Sequence, residues 1–181
     1  MGQKKLIKFA AIKEYNNVLE FPQDMQGKWA AFFDGLKNGT SPIEISTLPS
    51  TTAIDTPKLA IELACGRGEY AVGLGGMFPE QHFIGIDLKG NRIWKGASIA
   101  NKDGLTNVAF VRSQIELTSN YFAKDEVDEI WITFPDPQLR WSKSKKRLTH
   151  PKFLRLYQQF LKNDGIVHLK TDSPLLYNFT L

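Results

Sequence analysis

Four acids stand where short apolar runs end or are interrupted: Glu62, Asp87, Asp136 and Asp172. Glu62 lies inside Leu59–Ala64, a run that reads as a buried parallel strand. A carboxylate there is costly unless something pairs with it. Hydrogen bonds from turn amides would do so, and so would contact, direct or through water, with a cationic ammonium group. Asp87 closes the run His82–Asp87, about twenty residues beyond a glycine turn, where an acid takes up a ribose diol in adenosine-type cofactors. It can equally cap the segment that follows. Asp136 is bracketed by Pro135 and Pro137, whose rings fix φ and make a rigid turn around one acid. Asp172 follows Lys170-Thr171 at the end of a further run.

The glycine turn is Ala64-Cys65-Gly66-Arg67-Gly68. Gly66 and Gly68 allow a sharp turn and close approach of a ligand to the backbone. The segment Glu69–Phe78 predicts a helix stopped by Pro79. Strand, glycine turn and helix open a nucleotide-binding α/β sheet, with the cofactor above the strand's carboxyl end. Gly66-x-Gly68-x-x-Ala71 also fits a dinucleotide fingerprint. Against that reading, Glu69 occupies the place where a helix N-terminus would meet a pyrophosphate, and an acid repels phosphate. S-adenosylmethionine has no phosphate and carries a sulfonium and an ammonium, so Glu62 and Glu69 suit it better.

The elements that must position these residues follow a regular pattern. Strands are predicted over 82–87, 108–112, 127–134 and 165–170. Helices are predicted over 93–102 and 153–161, with Asp103-Gly104 and Asn163-Asp164 as turns. Alternating strands and helices mean an α/β fold with a doubly wound, mostly parallel sheet. Before it, residues 1–57 read as a basic, amphipathic N-terminal segment and loop. Lys4, Lys5, Lys8 and Lys13 lie among Leu6, Ile7, Phe9 and Ile12, as a solvated surface segment or an arm that touches polyanion. A helix is predicted around Trp29, Phe32 and Phe33, and residues 38–57 read as a loop.

Directly after the proline-bracketed acid, Arg140, Lys143, Lys145, Lys146 and Arg147 are concentrated without an intervening acid, and Trp141 stands among them. Such a run is either a solvated face or, beside an active site, an RNA-binding rim with cations for phosphates and an aromatic for stacking. Asp136 and Asp172, facing one crevice, can hold the N1–H and amino group of a guanine.

The bulk composition is that of one globular domain, 181 residues long with a formal net charge of +4. The single cysteine, Cys65, excludes an internal disulfide framework. It is a candidate thiol nucleophile or a small packing residue. His82, His150 and His168 are scattered and predict no metal cluster. No run resembles a signal peptide or is long enough to span a membrane.

The chain resembles the bacterial-type tRNA (guanine-N7-)-methyltransferase family. The resemblance rests on Glu62-Leu-Ala-Cys-Gly-Arg-Gly68, Phe83-Ile-Gly-Ile-Asp87, Phe134-Pro-Asp-Pro137, Lys146-Arg-Leu148 and Lys170-Thr-Asp172, in family order. It implies a Rossmann-like methyltransferase domain over 58–181 and S-adenosylmethionine as cofactor. The methyl acceptor would be N7 of a guanosine in tRNA. Carried over by position, cofactor residues fall on Glu62, Asp87, Gln114 and Asp136, with Asp136 also the catalytic candidate, and Gly66 and Gly68 of the turn are cofactor candidates beside them. RNA or guanine residues carry over to Arg140 and Asp172, and Lys143, Lys145 and Lys146 of the basic run join them as substrate candidates. Ala64 stands where the family has its first glycine, and Gln138-Leu139 where it often has Trp-Pro. The implied setting is a cytoplasmic enzyme, monomer or weak dimer, with no metal and no membrane partner. A nicotinamide-dependent oxidoreductase and a catalytically silent RNA-binding module are the alternatives. Only Ser173 to Leu181 follow Asp172, too few for a helix and two strands. The domain is therefore expected to be C-terminally incomplete, lacking the last two strands of its class, with the 165–170 strand at a sheet edge.

Overall fold

Each predicted apolar run becomes a strand because its alternate residues find a core on opposite faces of one sheet. In the computed structural model, which describes residues 3–39, 44, 47–50 and 56–181, the strands are β1 (Val18–Glu20), β2 (Leu59–Leu63), β3 (His82–Asp87), β4 (Val108–Arg112), β5 (Val127–Thr133) and β6 (Leu161–Lys170). They lie in the order β1-β4-β3-β2-β5-β6, and every neighbouring pair is parallel. The helices are α1 (Gln3–Ile12), α2 (Trp29–Lys37), α3 (Glu69–Met77), α4 (Gly90–Lys102), α5 (Pro151–Tyr157) and α6 (Pro174–Thr180). This is a doubly wound Rossmann-like sheet.

The two-residue period of the strands divides the core. Leu59, Ile61, Leu63, Ile84, Ile86, Ile130 and Ile132 pack with Trp29, Phe32 and Phe33 of α2 and Phe153 and Tyr157 of α5. Their neighbours Ala60, Phe83, Val108 and Phe110 face Ile12 of α1, Ala71 of α3 and Ile93, Ala97 and Ala100 of α4. Phe110 locks the second layer to the glycine turn. A Cβ on Gly68 would stand 2.4 Å from its ring, and one on Gly96 of α4 would stand 2.6 Å away. Gly68 is thus required by helix–sheet packing as well as by its φ of +71°.

Several expectations are corrected. The helix predicted over 153–161 begins earlier and ends at Tyr157, because Phe160 turns into the core and Leu161 already pairs with Val127. Asn163-Asp164 is no turn between elements: it lies within β6, where the register shifts opposite Asp128, the next pairs being Glu129 with Ile166 and Ile130 with Val167. The extra residues are absorbed as a bulge. The N-terminal region contributes β1, which pairs with β4 through Val18 and Phe110 and sits at the sheet edge. It also contributes α1, whose Ile12 is buried and whose Lys8 ammonium lies 4.4 Å from the Trp94 ring of α4. The side chain of Lys4 lies outside the described residues, as do 40–43, 45–46 and 51–55 of the predicted loop. After β6, at the opposite sheet edge, Ser173 caps α6 through the amide of Leu176.

Candidate active site

The carboxyl ends of the adjacent strands β3, β2, β5 and β6 carry the predicted acids along one edge of the sheet. Between β2 and α3 the chain turns through three left-handed residues, Ala64 (φ +55°), Gly66 (φ +58°) and Gly68 (φ +71°). Ala64 adopts the conformation that favours glycine. A Cβ on Gly66 would meet nothing within 4 Å, so the space above the turn is open to a ligand.

Asp87 ties the end of β3 to this turn. Its Oδ2 accepts from the Gly66 amide at 3.0 Å and its Oδ1 from the Lys89 amide at 2.7 Å. The second bond is a local turn ahead of α4, whose N-cap is Lys89, and Asp87 lines a cleft of about 360 Å³. Ser113, Gln114, Glu116, Gln138, Lys146 and Phe153 are among the residues that line it. Gln114 is exposed there. A second cavity, of about 230 Å³, is lined by Trp29, Pro57, Leu59, Glu126 and Lys162 and holds none of the predicted site residues.

Glu62 is buried, and both of its oxygens are engaged. Oε2 accepts from the Ala71 amide in the first turn of α3 at 3.0 Å, and Oε1 accepts from the Thr133 hydroxyl at 2.8 Å. Burial raises its carboxyl from the ordinary 4.5 to about 7. The two hydrogen bonds pull it down without offsetting burial, and the charges of Glu69 and Asp87 add to the rise. Cys65 is fully enclosed, and burial pushes its thiol well above its usual range. It packs beside Gly85, and the nucleophile reading is set aside.

The Phe134-Pro-Asp-Pro turn is bracketed by two further left-handed residues, Phe134 (φ +45°) and Gln138 (φ +49°). The Phe134 amide donates to the Lys170 carbonyl of β6 at 2.7 Å, and exposed Asp136 accepts from the Gln138 amide at 2.9 Å. Arg147 corrects the reading of the basic run. Only 3% exposed, it turns inward and donates from Nε to the Pro137 carbonyl (3.1 Å) and from Nη2 to the Gln138 carbonyl (3.2 Å). Its guanidinium lies 4.4 Å from the Phe179 ring of α6. Arg140, Lys143, Lys145 and Lys146 are exposed, the last three on a short 3-10 segment, Trp141–Lys146, whose Trp141 is 81% exposed. Asp172 is exposed just beyond β6, the strand next to the one that delivers Asp136.

Comparison with known proteins bears on this arrangement. Residues 56–180 match the family described as "Putative methyltransferase". The tRNA (guanine-N(7)-)-methyltransferase of Christiangramia forsetii is 44% identical over 190 residues, covering 100% of this chain and 76% of that protein. The chain belongs to the tRNA (guanine-N(7)-)-methyltransferase family. The Bacteroides thetaiotaomicron family member is 45% identical over 188 residues, and the chain spans 66% of its length. Among solved structures, the aminoglycoside resistance methyltransferase NpmB1 superposes with a TM-score of 0.51 at 24% identity, over 63% of this chain and 56% of that one. The 16S rRNA (adenine(1408)-N(1))-methyltransferase of Catenulisporales acidiphilia gives 0.50 at 18% identity, over 62% and 55%. These two likenesses concern the fold.

Two residues were not foreseen as parts of the site. Thr133, the partner of Glu62, precedes the proline turn and shares a face of β5 with Glu129 and Trp131 by the two-residue period. That spacing was the available signal. Arg147 left none, because a charge run does not show which cation faces inward. Among the described residues, no group of three or more His, Cys, Asp and Glu side chains is placed to hold a metal ion, and no helix is long and apolar enough to cross a membrane.

Proposed function

We propose that this protein transfers a methyl group from S-adenosylmethionine to N7 of a guanosine in tRNA, in the cytoplasm. The observation that carries this reading is the row Gln114, Asp87, Gly66, Glu62 and Asp136 at or beside the ends of adjacent strands in the order β4-β3-β2-β5. It runs out beside the exposed cations Arg140, Lys143, Lys145 and Lys146.

The residues fit the cofactor. Asp87 faces the cleft and would hold the ribose diol. Gln114 would receive the adenine amino group, and the open turn at Gly66 admits close approach. Glu62 and Glu69 supply negative charge where the cofactor's ammonium would lie. When bound, S-adenosylmethionine supplies a methyl group activated by its sulfonium. N7 carries an in-plane lone pair and needs no deprotonation, so no general base is assigned. The protein's contribution is positioning and electrostatics. Asp136 offsets the positive charge that develops on the base. Asp172 would take the guanine N1–H and amino group, and Arg140, Lys143, Lys145 and Lys146 would take the phosphates.

The nicotinamide alternative is disfavoured by Glu69, in the first turn of α3, where a pyrophosphate would dock. Calorimetry with S-adenosylhomocysteine and NADH, combined with incorporation of labelled methyl into unmodified tRNA, tests the reading. Binding of the first ligand with label in tRNA is expected. Binding of NADH alone would support the oxidoreductase, and RNA binding without label would support the silent module.

A further inference from the structure

We infer that the ring of Phe134 is the platform on which the target purine stacks, an inference that rests on the proposed methyl transfer to guanosine. A bulky residue at positive φ is strained, and one before a proline is further pushed toward extended backbone. Phe134 has φ +45° and precedes Pro135. Burial would account for such strain, but the residue is 53% exposed. The conformation is nevertheless imposed from two sides, by the Phe134 amide on the Lys170 carbonyl and by the Thr133 hydroxyl on Glu62. Strain retained around an exposed aromatic is the pattern of a functional position.

Its place in the fold says what the ring faces. Along the sheet, Gln114, Asp87 and the glycine turn mark the ends of β4, β3 and β2, and Phe134 follows directly on β5. Asp136 lies two residues on. Transfer to an in-plane ring nitrogen requires the base to be held by its faces, leaving that edge free, and a flat aromatic does this without regard to hydrogen-bonding pattern. Lys170 adds the pattern. Its ammonium lies 5.6 Å from the Phe134 ring centre and 5.3 Å from that of Tyr70. A donor there matches a purine O6, which shares the N7 edge in guanine, and mismatches the N6 amine of adenine.

Irradiation of the protein–tRNA complex at 254 nm, followed by mapping of the crosslinked peptide, tests the platform without relying on turnover. Phe134→Leu and Phe134→Trp provide the second arm. A crosslink between Phe134 and a guanosine is expected. Phe134→Leu should lose it and lower the methyl-transfer rate about 10- to 100-fold, the range of one lost base–aromatic stack. Affinity for S-adenosylhomocysteine and the salt dependence of tRNA binding should be unchanged, and Phe134→Trp should restore the rate. Crosslinks confined to Trp141, or a Phe134→Leu variant as fast as the parent, would overturn the inference. Failure of the unsubstituted protein to form N7-methylguanosine would instead count against the functional reading, which keeps the two failures apart.

Discussion

Thr133 donates its hydroxyl to Glu62 across β2 and β5, Oγ1 to Oε1 at 2.8 Å, and so joins the glycine turn to the proline turn. With the carboxyl of Glu62 raised by burial to about 7, the folded state holds a proton that the unfolded chain releases near the ordinary 4.5. The unfolded chain thus binds fewer protons in that interval, and Glu62's contribution to stability falls as pH rises from about 4.5 through 7. Glu62→Gln should flatten this part of a melting-temperature profile. Thr133→Val removes a donor to the ionised form and should cost about 1–3 kcal/mol, more at pH 8 than at pH 6. Equal costs at both values would mean that Glu62 does not change its ionisation between them.

Asp87→Ala should weaken S-adenosylmethionine and S-adenosylhomocysteine alike, because the ribose is common to both. The loss should be about 1.5–3 kcal/mol for a charge-assisted hydrogen bond. The substitution also strips the Gly66 and Lys89 amides of their acceptor, so the melting temperature should fall with it. Calorimetry showing unchanged affinity for both ligands would remove Asp87 from the cofactor site.

The cations of the basic run should separate by role. Replacing Lys143, Lys145 and Lys146 by Gln should flatten the salt dependence of tRNA binding, by about 0.7–0.9 in log–log slope per lost phosphate contact. Arg147→Gln should leave that slope alone. It leaves the Pro137 and Gln138 carbonyls without their donor and should cost about 1–3 kcal/mol in stability. A slope that shifts with Arg147 and not with the lysines would reverse these assignments.

Asp136→Asn retains an oxygen for the Gln138 amide and removes one charge. Methylation should drop far more than tRNA affinity. Comparable losses in both would make Asp136 a binding residue with no special part in transfer.

Much of this architecture was legible because its signals are local. The bounds of β3 and β4 follow from apolar runs between turn residues, and the position of β6 at a sheet edge was anticipated. Glu62 and Asp87 stood out as acids at or beside strand ends. β1 was not legible: Val18–Glu20 is too short to carry a period, and pairing with β4 makes it a strand. The Asn163-Asp164-Gly165 turn signal is real, but the sheet absorbs it as a bulge, where Lys162 also pairs with Asp128 at 2.7 Å. Arg147 was misplaced because its environment comes from Phe179 on α6 and from the proline turn, contacts that neither charge nor spacing encodes.

The central claim is tested most directly by where the methyl group goes. Unmodified tRNA incubated with the protein and labelled S-adenosylmethionine can be digested to nucleosides, and a parallel sample reduced and cleaved with aniline, which cuts the chain at N7-methylguanosine. The account predicts label in N7-methylguanosine alone and cleavage at a guanosine position. Label in any other nucleoside, or tRNA and cofactor bound with no label transferred, would contradict it.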